Sequence, residues 1–139
     1  MNYDRTEYVE EIIEVIKIFF EKEPKISKLV VDLGKYYDDN YLYNVENKEF
    51  LKLLKELYIK DNVDKKEKKV DFEKRINYEE IQNFNTITNY IKILTKKDLR
   101  VGQSLLNVKR VLKHKSKDFN NFENKDLIEE IISLYKPNL

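Results

Sequence analysis

The side chains that most often do chemistry are scarce in this sequence. It contains one histidine, His114, and no cysteine. A base titrating near neutral pH, a thiolate nucleophile and a zinc–thiolate site therefore have almost no residues from which to be built. His114 stands between Lys113 and Lys115 in a strongly polar stretch. We interpret it as a solvated side chain in a polar loop.

Carboxylates are plentiful, but their spacing does not match a known type of metal site. The adjacent pairs lack the alternating positions and central glycine of a calcium loop: Asp38–Asp39, Glu10–Glu11 and Glu129–Glu130. Gly34 and Gly102 are isolated, so no glycine-rich phosphate loop is present. We therefore predict that the protein is not an enzyme and has no catalytic residue, no metal site and no cofactor.

The remaining chemical signal is a basic stretch in the second half of the chain. Between residues 96 and 118, eight basic residues stand against two acidic ones: Lys96, Lys97, Arg100, Lys109, Arg110, Lys113, Lys115 and Lys117 against Asp98 and Asp118. At helical spacing, Lys109, Arg110 and Lys113 lie close enough to share a face. This basic face suggests phosphate binding, so a nucleic-acid-binding protein is our alternative prediction.

A group of tyrosines in the first half points to a protein partner instead. Tyr36 and Tyr37 are expected to cover the core, whereas Tyr41 and Tyr43 have less reason to be buried. Tyrosine is favoured at protein interfaces. Our leading interpretation is a non-enzymatic accessory protein that binds another macromolecule, preferentially a protein. The candidate binding residues are Arg100, Gln103, Lys109, Arg110, Lys113, Tyr41 and Tyr43.

The composition indicates which elements position these side chains. The 139 residues are 41% hydrophobic and 38% charged, with a formal net charge of +1 and only two glycines and two prolines. Sparse turn residues favour long helices over sandwiches and barrels. The polar N-terminus and the short apolar runs resemble neither a signal peptide nor a membrane span. We predict an all-α cytoplasmic protein of about six helices with no membrane partner.

Apolar stripes place three helices in the first half. The first lies between Arg5 and Phe20, and the second starts near Glu23 and extends to Tyr37. The stretch Asp38–Asn40 is expected to break the second helix. The third follows Asn47, which is a good N-cap residue.

The second half of the sequence repeats the first. Ile16–Ile18 recurs as Ile91–Ile93 at an offset of 75, and Asn44–Glu49 corresponds to Asn121–Asp126 at an offset of 77. Agreement in the polar cap residues is more than helical periodicity alone requires. We predict two tandem three-helix modules, residues 1–59 and 75–139, joined by a charged linker, residues 60–74. Because each is too small to bury a good core, they should share one about an approximate two-fold axis.

Two pairs of equivalent positions have polar or small residues on apolar helices. Gly102 corresponds to Ser27 near the start of the second helix of each module. We favour a close helix crossing there over a backbone approach to a ligand beside Arg100 and Gln103. Asn107 corresponds to Asp32, and this position is expected to cap or bridge a facing loop.

The run Asp98–Asn107, followed by Phe122–Leu127, resembles small uncharacterised helical proteins of Gram-positive bacteria and their phages. Those proteins have an Asp-Leu-Arg-hydrophobic-Gly-Gln run and then an acidic cap that opens the last helix. The resemblance covers mainly residues 75–135 and implies a helical module rather than a reaction. By analogy, a phage-borne inhibitor of a host system fits such a scaffold. The first module has Lys25, Ser27 and Lys28 where the motif has Arg, Gly and Gln, so we expect the site on the second.

Overall fold

The computed structural model describes residues 5–58, 78–114, 118–119 and 122–136. These ranges contain seven helices and no strand, so the predicted all-α class is confirmed. The helices are α1 (Val9–Lys22), α2 (Ile26–Gly34), α3 (Asp39–Asn44), α4 (Asn47–Tyr58), α5 (Tyr78–Lys96), α6 (Val101–Lys113) and α7 (Asn124–Tyr135). The predicted linker, residues 60–74, lies outside the described residues, as do Lys115, Lys117 and Asn121.

The helices pack as their apolar stripes require. Side chains of α1 that recur every three or four residues are buried, including Ile12, Ile16 and Phe20. α1 packs against α4 and α5, α5 packs against α7, and α6 packs against α2, α3, α4, α5 and α7. α6 therefore lies at the centre of the fold. None of the described helices combines the length and apolar character that crossing a bilayer requires.

Two predicted boundaries around α2 are wrong. The helix begins at Ile26 rather than near Glu23, because the Ile26 N–H is capped at 2.9 Å by Oδ1 of Asn124, a residue of α7. The helix ends at Gly34, before the tyrosines that were expected to continue its apolar face. Tyr36 is consequently 68% exposed instead of covering the core, and Tyr37 is half-buried.

The acidic stretch that was expected only to end a helix also starts one. Asp38 has extended backbone angles, and its Oδ1 accepts a hydrogen bond of 2.7 Å from the Tyr41 N–H. This is the geometry of an N-cap, in which a side chain replaces the missing helical acceptor. The additional helix is α3, and it raises the number of helices above the predicted six.

Asn47 also has a different partner from the one predicted. It is the buried first residue of α4, and its Oδ1 accepts the Val101 N–H at 2.9 Å, so that it caps α6 instead. Its Nδ2 donates to the Arg5 carbonyl at 2.7 Å. Asn124 uses its two side-chain groups in the same way, with Nδ2 donating to the Pro24 carbonyl at 3.0 Å. Each asparagine thus joins the N-terminus of its own helix to the N-terminus of a helix in the other half of the chain.

Candidate functional site

The short helix α3 lies directly against α6 at a glycine. A Cβ atom placed on Gly102 would lie 2.2 Å from the carbonyl oxygen of Leu42, which no side chain tolerates. The Arg100 Nε adds a hydrogen bond of 3.1 Å to the carbonyl of Tyr43. Gly102 therefore allows the close helix crossing that we favoured. The backbone that approaches this glycine is that of α3 and not a ligand.

Tyr43 is held in place by residues at the start of α6. The Gln103 Nε2 donates to the Tyr43 hydroxyl at 3.4 Å, while its Oε1 accepts from the Arg100 N–H at 3.3 Å. The guanidinium carbons of Arg100 and Arg110 lie 5.7 and 5.5 Å from the centroid of the Tyr43 ring. Both distances are within the range of cation–π attraction. The half-buried ring is therefore an ordered support for the Arg110 guanidinium.

Lys109 is engaged in an ion pair inside the protein. Its Nζ lies 2.8 Å from Oδ1 of Asp39 on α3, and its side chain is only 11% exposed. This ion pair uses the charge of Lys109 to hold α3 on α6. Lys109 is therefore not a free phosphate ligand, and the predicted basic face is smaller than the sequence suggested.

A cleft of about 570 Å³ lies between α3 and α6. We call it the α3–α6 cleft, and its lining residues are Asp39, Asn40, Leu106, Lys109, Arg110, Lys113 and His114. Arg110 and Lys113 are exposed there, and neither forms an ion pair with any residue that the structure describes. His114 is also exposed, at the C-terminal end of α6, as expected for a solvated histidine.

Three aromatic side chains lie beside the other flank of α3. The rings of Tyr37 and Tyr41 stack with centroids 5.7 Å apart, and Tyr41 is 40% exposed. The pKa of Tyr37 is raised by burial and, to a lesser extent, by the nearby charges of Glu56 and Glu49 on α4. The exposed Tyr36 precedes Tyr37 in the chain and lies near Tyr58 of α4. We call the exposed part of Tyr36, Tyr37 and Tyr41 the tyrosine surface. It is aromatic and has acidic neighbours.

The structure brings most of the predicted binding residues together. Six of them meet along the contact between α3 and α6: Arg100, Gln103, Lys109, Arg110, Lys113 and Tyr43. The seventh, Tyr41, belongs to the tyrosine surface instead. Sequence reasoning missed Asp39, Asn40 and Leu106 as lining residues. The only sequence feature that could have indicated them was the acidic pair at residues 38–39, which can pair with a basic helix.

At the equivalent positions, Asn107 contacts the last helix of its half, whereas Asp32 forms an ion pair with Lys35 at 3.4 Å. The Asn107 Nδ2 donates to the Tyr135 hydroxyl at 2.7 Å. In the first half, Asp32 is close enough to Tyr58 to raise the pKa of that phenol, after the larger effect of burial. The buried hydroxyl of Tyr58 makes no hydrogen bond with the described residues.

Comparisons with known proteins identify no family for this chain. No family model matches the sequence, and neither a curated protein nor a solved structure shows significant similarity. Within the described ranges, no three histidine or acidic side chains lie close enough together to hold a metal ion. The arrangement that the described residues do provide is a cationic cleft and an aromatic surface on opposite flanks of α3.

Proposed function

We propose that this chain is a non-enzymatic accessory protein that binds another protein through the tyrosine surface, in the cytoplasm of a bacterium or of its phage-infected host. The observation that supports this is the exposure of Tyr36 and Tyr41 beside the stacked Tyr37. Tyrosine gives a large contact area for the loss of only two side-chain torsions. Stacking has already restricted two of the three rings, which lowers the entropy cost of binding.

The charges around this surface indicate what the partner must present. Glu49 and Glu56 lie near Tyr37, with Lys52 between them on α4. A lysine or arginine of the partner can therefore contact an aromatic face and a carboxylate together. A phage-borne inhibitor of a host protein is one such accessory protein. That role rests on the family resemblance alone.

The test compares two sets of tyrosine variants in affinity capture from the native host. Tyr36→Ala with Tyr41→Ala removes the tyrosine surface, whereas Tyr78→Ala removes a tyrosine that is 74% exposed on α5. We expect one protein to be captured by the wild type and by Tyr78→Ala and to be lost from the double variant. Equal capture by all three proteins, or equal loss in both variants, would rule out the tyrosine surface as the binding site.

The second candidate function is nucleic-acid binding through the basic face. It is favoured by four exposed cations among the described residues, Lys96, Lys97, Arg110 and Lys113. Binding that used all four should weaken with salt at a log–log slope of about −4. Engagement of Lys109 by Asp39 and of Arg100 by the Tyr43 carbonyl counts against this candidate. Failure to bind duplex or single-stranded DNA and RNA at low salt would eliminate it.

We also infer that the chain consists of two tandem three-helix modules, residues 1–59 and 75–139, related by an approximate two-fold axis. The support is the exchange of caps between Asn47 and Asn124, whose targets Val101 and Ile26 are separated by the same offset as the sequence repeat. Residues 60–74 are the linker in this scheme. An experimental structure in which α1, α2 and α4 fail to superpose on α5, α6 and α7 would contradict the duplication.

A further inference from the structure

We propose that the α3–α6 cleft is a second binding site, which takes an acidic segment of a partner protein through the carboxylates of its glutamate or aspartate side chains. This site is independent of the tyrosine surface, since it lies on the opposite flank of α3 and has the opposite charge. Three observations support the proposal. The cleft has cations that are available to a ligand, its arginine is held in position, and its facing wall suits a peptide.

The cleft has an excess of positive charge that the described residues do not neutralise. Lys109 and Asp39 neutralise each other at 2.8 Å. The charges of Arg110 and Lys113 remain, because neither side chain forms an ion pair with a described residue. Both lie in the last turn of α6. An incoming carboxylate would pair with cations that the described residues leave without a counter-ion.

Arg110 is arranged for recognition rather than for structure. Its guanidinium lies over the Tyr43 ring at 5.5 Å, and that ring is fixed by Gln103 and by the hydrogen bond from Arg100 to the Tyr43 carbonyl. An arginine held near an aromatic face by cation–π attraction keeps N–H groups that can donate two parallel hydrogen bonds to one carboxylate. Because this contact restricts its rotamers beforehand, less entropy is lost on binding.

The rest of the cleft favours a peptide over a nucleic acid. The Asp39 side chain is half exposed on the facing wall, where it can accept a hydrogen bond from a peptide N–H. Leu106 adds an apolar contact that an acidic peptide with an interspersed leucine can use. The volume of about 570 Å³ is in the range of small-ligand pockets and accommodates a few residues rather than a duplex.

The experiment is an NMR titration of the full chain with a short capped peptide of glutamate and leucine. The control peptide has glutamine in place of every glutamate, so it preserves shape and removes charge. We expect shifts in the amides of Asn40, Arg110 and Lys113 with the acidic peptide only. Arg110→Gln with Lys113→Gln should weaken binding about tenfold or more, since two charged hydrogen-bonding groups are lost. Arg110→Lys should give an intermediate loss, because it retains the charge but not the planar fork.

The matched control is Lys96→Gln with Lys97→Gln, which removes the same charge from exposed positions outside the cleft. It should change the affinity by less than about twofold. Equal binding of the two peptides, or an equal loss in both double variants, would overturn the proposal. So would a single-stranded oligonucleotide that displaces the peptide and binds more tightly, which would assign the cleft to nucleic acid. The tyrosine-surface variants should bind the acidic peptide normally, so the two proposals can fail separately.

Discussion

Asn47 and Asn124 cap helices in each other's half of the chain. Asn47 at the start of α4 accepts the Val101 N–H, and Asn124 at the start of α7 accepts the Ile26 N–H, both at 2.9 Å. A helix start has backbone N–H groups without helical partners, and burying them unpaired is costly. α2 and α6 therefore depend on residues far away in the sequence, which ties the folding of the two halves together.

Removing either cap should destabilise the whole protein. Asn47→Ala and Asn124→Ala each leave a buried backbone N–H without an acceptor, at an expected cost of about 1–3 kcal/mol in the free energy of unfolding. Asn89→Ala, at an exposed position of α5, should change it by less than about 0.5 kcal/mol. Urea denaturation monitored by circular dichroism measures all three. If the two cap variants lose no more unfolding free energy than Asn89→Ala, the halves are not coupled in this way.

The two glycines should respond in opposite directions to alanine. Gly102→Ala places a methyl group against the Leu42 carbonyl at 2.2 Å and should cost about 1–3 kcal/mol as α3 and α6 are forced apart. At Gly34, the nearest atom is Lys109 Nζ at 3.5 Å, an ordinary contact, and the backbone is not left-handed. Gly34→Ala should therefore stabilise the protein by about 0.4–1 kcal/mol. Thermal unfolding of both variants checks the sign, and a tolerated Gly102→Ala would refute the close crossing.

The equivalent tyrosines of α4 and α7 should differ when their hydroxyls are removed. The Tyr135 hydroxyl accepts from Asn107 at 2.7 Å, so Tyr135→Phe should cost about 1 kcal/mol. The buried Tyr58 hydroxyl has no hydrogen-bond partner among the described residues, so Tyr58→Phe should be neutral or stabilising. The two variants measured side by side in urea provide each other's control. A larger loss from Tyr58→Phe would contradict the assignment.

Alkaline pH should destabilise the protein through these same phenols. Burial raises the pKa of Tyr58 and of Tyr135 above the ordinary value of 10.0, because the folded state favours the neutral form. The associated stability is complete below about pH 10 and is lost as the pH rises towards the folded pKa, since only the unfolded chain ionises there. Tyr58→Phe should reduce this loss. Urea midpoints measured on either side of pH 10 test it, and an unchanged slope would contradict it.

The ion pair between the two helices of the cleft should contribute to stability. Asp39→Asn leaves the ammonium of Lys109 largely buried without its counter-ion and should cost about 1–2 kcal/mol, less than a fully buried pair because Asp39 is half exposed. Asp38→Asn changes the net charge equally but keeps a good N-cap for α3, so it should be nearly neutral. Equal stability of the two variants in urea would mean that the pair contributes nothing measurable.

What could be predicted from the sequence was determined by local periodicity. The stripe of α1 and those of α4 and α7 require one buried face, and all three helices lie where the stripe places them. α3 has only six residues, too few for a periodic pattern, and its stability comes from α6. Asn47 looks like a local cap because its partner Val101 is 54 residues away. No sequence pattern reveals such a contact.

The candidate site was predicted in the same partial way. Residue types point to cations and tyrosines as binding residues, which stays a prediction, but they do not indicate which of these side chains are available to a ligand. Lys109 and Asp39 are 70 residues apart, so their ion pair could not be anticipated, and the basic face was overestimated. The support of Arg110 by Tyr43 likewise joins distant segments. The types of side chain can be read from the sequence. The neutralisation of Lys109 and the placement of Arg110 beside Tyr43 arise only in the tertiary structure.

The dependence of α3 on α6 has a consequence for the rate at which its amide protons exchange with solvent. A six-residue helix is too short to persist alone in water, so α3 depends on the ion pair, the hydrogen bond and the close crossing that attach it to α6, together with its Asp38 cap and its buried Leu42. Breaking these few contacts releases one wall of the cleft while the core of α1, α4 and α5 stays packed. Amides of α3 should therefore exchange before those of α1, and an occupied cleft should slow them selectively. Protection of this one helix would report occupancy of the cleft without any label on the ligand.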